Sequence, residues 1–106
     1  MSDWVDVARV EQFEVEKPRL VEIEGAKIAV YRLDDGFYAI EDICTHDNGE
    51  LASGCVENGE VICPRHGAHF SIKTGEALTA PAYEPVSIFP VRVENGTVQV
   101  RDDRWD

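Results

Sequence analysis

Four side chains between positions 44 and 66 constrain this chain more than any other feature. Cys44-Thr45-His46 and Cys63-Pro64-Arg65-His66 are separated by sixteen residues. Each Cys/His pair is compact enough to sit on one loop. Two thiols and two imidazoles together form a donor set for a soft or borderline transition metal. A chain that must bring these two loops together folds as a scaffold around the segment that carries them.

Two occupants fit the donor types. One is a single structural zinc with two Cys and two His. The other is a two-iron, two-sulfide cluster with two cysteines on one iron and two histidines on the other. A cluster held by cysteine alone is excluded, because the chain has only Cys44, Cys55 and Cys63. A zinc finger sets its two Cys close together and its two His close together, the latter on a helix. Here each loop mixes both types, and Pro64 and Gly67 bracket the second pair against helix formation.

Cys-x-His, sixteen residues, then Cys-x-x-His resembles the signature of Rieske proteins. The neighbours Pro64, Gly67, Phe70 and Thr74-Gly75 resemble those of Rieske-type ferredoxins that serve bacterial ring-hydroxylating oxygenases. The resemblance spans nearly the whole chain. It implies an all-β Rieske fold: an antiparallel sandwich or barrel base from residues 1–40 and 84–106, with a cluster-binding subdomain inserted at about 41–83. It implies one [2Fe-2S] cluster, with Cys44 and Cys63 as thiolates on an iron that stays ferric and His46 and His66 on the iron that takes the electron. It also implies a soluble, monomeric one-electron carrier, not itself an enzyme, in aromatic hydrocarbon catabolism. The partners would be a flavin-dependent ferredoxin reductase and a terminal oxygenase. Two alternatives stay open, the small subunit of an assimilatory nitrite reductase and a zinc-binding structural module.

Departures from the family pattern indicate a subclass. High-potential members carry an extra cysteine in each ligand loop, joined as a disulfide, where this chain has Gly49 and Arg65. They also carry a serine and a tyrosine hydroxyl where this chain has Ala68 and Phe70. Hydrogen bonds to sulfur stabilise the more negative, reduced cluster, so their loss lowers the potential. A low-potential, ferredoxin-type member is expected.

Three further residues need a reading. His69 competes with His66 as a ligand, but the family spacing favours His66 and leaves His69 as a satisfied loop residue, hydrogen-bonded to backbone. Cys55 reads as a small buried hydrophobe. Pro81 reads equally as part of a third loop covering the cluster or as an ordinary turn proline. Gly49, Gly54 and Gly67 are expected to serve backbone needs near the cluster.

Length and charge narrow the function classes. The 106 residues fit one domain, and no apolar run approaches a membrane span. The start, Met1 to Asp6, lacks the basic and apolar pattern of a secretory signal, so a cytoplasmic location is expected. The formal charge of −11 repels nucleic-acid phosphates and anionic membranes. Glu41, Asp42, Asp47 and Glu50 flank the first ligand loop and suggest an acidic rim facing a basic partner, with Arg65 the one cation in the motifs.

The rest of the chain reads as short strands between turn signals, as in an all-β sandwich or barrel. Strand candidates are Trp4 to Val10, Leu20 to Glu24, Lys27 to Leu33, Phe37 to Ile40, Val61-Ile62, Phe70 to Ile72, Glu76 to Thr79, Val86 to Val93 and Thr97 to Val100. Pro90 marks an edge or bulge in the eighth of these. Glu11 to Lys17 reads as a short helical turn or loop. Asp34-Asp35-Gly36, Asn58-Gly59 and Asn95-Gly96 are hairpin signals, and Trp105 is a candidate anchor for a polar tail.

Overall fold

The computed structural model describes residues 3–45 and 49–104; His46, Asp47 and Trp105 lie outside the described residues. In chain order the elements are β1 (Val5–Arg9), a 3-10 turn (Val10–Gln12), β2 (Arg19–Ile23), β3 (Ala26–Leu33), β4 (Gly36–Glu41) and β5 (Val56–Glu57). They continue with β6 (Glu60–Ile62), β7 (His69–Ser71), β8 (Ile88–Phe89), β9 (Val91–Glu94) and β10 (Thr97–Val100). They form three antiparallel sheets with strand orders β1-β10-β9, β2-β3-β4-β8 and β5-β6-β7. The fold is the all-β architecture that the turn pattern predicts. No helix among the described residues is long and apolar enough to cross a membrane.

The four-stranded sheet is central because both of its faces are covered. Side chains alternate across a strand, and β3 sends Ile28 and Val30 to one face and Ala29 and Tyr31 to the other. The first face packs on Val98 and Val100 of the β1-β10-β9 sheet. The second packs on the segment that holds Cys44, Cys63 and Phe70. All four β3 residues are wholly buried, so the strand reads as a continuous apolar run. Double coverage of one sheet thus creates a second core, and both candidate cysteine ligands belong to it.

Hairpin turns carry much of the local determination. Asn58 and Gly59, and again Asn95 and Gly96, have both central residues at positive φ (52° and 76°, 53° and 79°). That is the two-residue turn whose twist matches the flanking strands. Glu24-Gly25 joins β2 to β3 in the same way, with φ of 49° and 84°.

Two strand expectations change. Val86 to Val93 is not one strand. β8 pairs with β4 and β9 with β10, so the chain changes sheets at Pro90. Proline brings no N–H to either ladder, and its carbonyl accepts the Arg101 N–H at 3.1 Å. Glu76 to Thr79 forms no full strand. It pairs narrowly with β7 through Ser71 N–H to Glu76 O at 2.9 Å and Leu78 N–H to His69 O at 2.7 Å. The Thr79 hydroxyl then accepts the His69 N–H at 2.9 Å, a donor that a further ladder bond would have needed.

Candidate metal centre

Cys44 follows the end of β4, and Cys63 follows the end of β6 directly. Both thiols face inward, with Cys44 at 0% and Cys63 at 1% exposure in the same apolar cluster. Each opens a loop closed in the same way. The Cys44 N–H donates to Gly49 O at 2.6 Å, and the Cys63 N–H donates to Ala68 O at 2.7 Å. Cys-to-acceptor spacing is five residues in both, so two unrelated stretches make matching turns around their cysteines. In the second loop the Gly67 N–H also returns to Cys63 O at 3.0 Å. Gly67 has φ of +74°, which explains a glycine directly after His66. His66 itself is exposed at the loop tip. Gly54 serves a different need, because a side chain there would run into the Ile62 carbonyl.

A third loop closes over the first. The Thr45 hydroxyl donates to Glu84 O at 2.7 Å. Thr45, Pro81, Tyr83 and Glu84 line one shallow cavity, and Ala80–Pro81 is a cis peptide. Pro81 is therefore part of a loop packed beside the first ligand loop. Tyr83 is 83% exposed on that loop, a large aromatic surface that sequence pattern alone does not flag.

His69 is separated from His66 by its element. It lies on β7 opposite Ile62, and its Nδ1 pairs with Glu60 Oε1 at 2.9 Å. Its ring is satisfied by a carboxylate on the neighbouring strand rather than by backbone. Cys55 is exposed, which corrects the reading of it as a buried hydrophobe. It stands just before the two-residue strand β5, where its carbonyl accepts the Ile62 N–H at 2.9 Å. The backbone is used, while no core lies on the side to which its thiol is exposed.

Asp42 corrects the acidic rim. It is 8% exposed, and its Oδ1 accepts the Leu51 N–H at 2.7 Å and the Ala52 N–H at 2.8 Å. Glu41 is half-buried, 3.9 Å from the Arg104 guanidinium. Of the described rim residues only Glu50 is exposed, with Glu84 added from the third loop. Ala68 and Phe70 are both wholly buried in the core that carries the cysteines and offer no hydroxyl there. Tyr31 does place a hydroxyl in that core, with no hydrogen-bond partner among the described residues. Burial, and then the charge of Asp42, push its phenol well above the usual tyrosine range, so it stays protonated.

The donor set suits a binuclear cluster. Two buried thiols are held by matched loops, with an imidazole at the exposed tip of the second. A lone zinc would need Cys44, Cys63 and His66 in one sphere, at bonds of about 2.0–2.3 Å. A two-iron cluster asks only that the cysteines share one iron and the histidines the other.

Comparison with known proteins agrees with this chemistry. The profile of the Rieske [2Fe-2S] domain matches residues 3–90. The anthranilate 1,2-dioxygenase ferredoxin subunit of Burkholderia cepacia is 36% identical over 101 residues, covering 94% of this chain and 93% of that one. A ferredoxin–oxygenase complex of carbazole 1,9a-dioxygenase contains a chain 37% identical, with a TM-score of 0.87, covering 92% of this chain and 91% of that one. A Mycobacterium tuberculosis protein assigned as an NADH-dependent nitrite reductase small subunit superposes with a TM-score of 0.85, covering 96% of both chains, but at 22% identity that likeness shows the fold alone.

Proposed function

The chain belongs to the Rieske [2Fe-2S] domain family, and from that premise we propose that it is the ferredoxin of a ring-hydroxylating dioxygenase system. It binds one Rieske-type cluster and carries electrons rather than transforming an organic substrate. Its partners are a flavin-dependent reductase and a terminal oxygenase, and it works as a cytoplasmic monomer. Residues 41–83 act as the cluster-bearing subdomain on the base formed by the two ends of the chain. Identity above 30% to dioxygenase ferredoxins over nearly the full length supports this reading over a nitrite reductase subunit.

Cys44, Cys63, His46 and His66 are the ligands in this reading. When bound, such a cluster takes up and releases one electron. Cys44 and Cys63, both buried in an apolar core, would hold the cluster as thiolates away from water and from oxidation. His66 presents its imidazole at the surface, where it shortens the path to a partner. Neutral imidazoles in place of two thiolates raise the potential relative to an all-cysteine site, and the lack of hydroxyls at Ala68 and Phe70 lowers it again. Exposed Tyr83, beside the first ligand loop, gives the docking face an aromatic contact of the kind that dominates interface energetics.

The observation that carries this reading is the pairing of two interior thiols with an exposed histidine on loops of matched closure. Anaerobically purified protein is expected to contain about two irons and two acid-labile sulfides per chain. Rapid mixing of the reduced protein with a ring-hydroxylating oxygenase should transfer one electron to the oxygenase cluster. Stoichiometric zinc without sulfide overturns the cofactor, and a bound cluster that no such oxygenase can oxidise overturns the partner.

A further inference from the structure

The two ligand loops are held by different means. The second is gripped at both ends by a ladder, because Cys63 follows β6, His69 opens β7, and Ile62 pairs with His69. The first has β4 on its entry side only, and the residues after it, Gly49 to Cys55, form no strand. Asp42 stands where the missing ladder would be. Its N–H donates to Lys27 O at 2.8 Å, which fixes the residue to β3 of the central sheet. Its Oδ1 accepts two consecutive N–H groups from the exit side, Leu51 at 2.7 Å and Ala52 at 2.8 Å. Leu51 is wholly buried in the core that contains both cysteines, so the carboxylate also seats an apolar anchor of that core.

We propose that Asp42 is the positioning residue of the first ligand loop, its carboxylate oxygen closing the loop as a surrogate strand and thereby fixing where Cys44 presents its thiol. The inference rests on the ligand reading above. Asp42 acts through the backbone N–H groups of Leu51 and Ala52 on the exit side of the loop. One oxygen at one place satisfies two N–H groups, and without it the Leu51 N–H is left in the interior, where water does not readily replace the acceptor, and the Ala52 N–H at the edge of it. Partners that orient metal ligands from outside the coordination sphere set retention of the group as well as its electronic structure. The position of the acceptor is the operative feature, rather than the negative charge.

Three variants separate position from charge in the cluster-loaded protein. Asp42→Asn keeps an acceptor oxygen at the same reach and removes the charge. Asp42→Glu keeps the charge and moves the acceptor by one methylene, and Asp42→Ala removes both. Iron and sulfide loss under a chelator is followed by visible absorption, and the reduced cluster is examined by electron paramagnetic resonance. Asp42→Asn is expected to stay within about twofold of the native chain, while Asp42→Glu and Asp42→Ala lose iron about 10–100 times faster. The spectrum of reduced Asp42→Asn should match the native one, and that of Asp42→Glu should not. If Asp42→Ala cannot be obtained with a cluster, the Asn and Glu variants still decide the matter. Native-like retention in Asp42→Glu, or loss in Asp42→Asn equal to that in Asp42→Glu, overturns the proposal. Cys44→Ser and His66→Ala are measured alongside. A native spectrum in either defeats the ligand reading itself, whereas indifference confined to the Asp42 variants defeats only the positioning role.

Discussion

Replacing His69 by alanine separates the two histidines of the second motif, and the structure sets the size of the effect. His69 contributes one side-chain hydrogen bond, Nδ1 to Glu60 Oε1 at 2.9 Å, with the two side chains 31% and 36% exposed. A net hydrogen bond contributes about 0.5–1.5 kcal/mol, and partial exposure places this one in the lower half of that range. The backbone bonds of His69 to Thr79 and Leu78 survive the substitution. A loss of about 0.5–1 kcal/mol lowers the unfolding temperature of a domain this size by roughly 2–8 °C. The cluster spectrum should be unchanged, because the imidazole is committed to a strand neighbour. His66→Ala should do the reverse, abolishing the native spectrum. Thermal unfolding followed by circular dichroism, with visible absorption of the oxidised protein, reads both effects. Loss of the native spectrum in His69→Ala, with His66→Ala keeping it, would falsify the ligand assignment.

Other substitutions test other parts of the account. Ala68→Ser and Phe70→Tyr each return a hydroxyl to the core around the cysteines and should raise the midpoint potential if it reaches a sulfur, about 59 mV corresponding to a tenfold change in equilibrium. The wild-type midpoint should lie near about −150 mV, the bottom of the Rieske range, and a redox titration placing it well above zero contradicts the low-potential reading. Asp102 is fully buried, and its hydrogen bonds from Arg104 hold its carboxyl below the ordinary value of 3.8. Its contribution is therefore complete above that value and fades only as pH falls through the lowered one. Asp102→Asn should cost about 1.5 kcal/mol, equally at pH values of about 7 and 5; guanidinium unfolding in which the difference narrows between them would contradict this. Glu50→Gln with Glu84→Gln should slow reduction by the reductase at low salt and leave the midpoint nearly unchanged, with the gap shrinking as ionic strength rises. Rates insensitive to both charge and salt would leave these carboxylates as ordinary solvated surface.

The sequence by itself determined what depends on residue type and on nearest neighbours. Cys44, Cys63 and His66 offer thiol and imidazole donors wherever they are placed, and the family spacing favours His66 over His69 as the expected ligand. Asn58-Gly59 and Asn95-Gly96 adopt left-handed turns because few other pairs tolerate them, so those hairpins were legible locally. The same holds for the absence of hydroxyls at Ala68 and Phe70. Tertiary structure decided whatever depends on which surfaces meet. The run Ile28 to Tyr31 signals burial, but only the packing of a second sheet and the ligand segment on opposite faces divides it between two cores. Pro90 signals an interruption, yet the change of sheet depends on β4 and β10 being available as separate partners. Asp42 looked like surface charge because the N–H groups that donate to it, those of Leu51 and Ala52, lie 9 and 10 residues away across a loop. Cys55 looked buried because type alone favours burial, whereas its place before a two-residue strand leaves it facing solvent. Residue chemistry and turn conformation are written locally. The side of a sheet that a residue faces, and the partner its polar atoms find, are set only when distant segments close on one another.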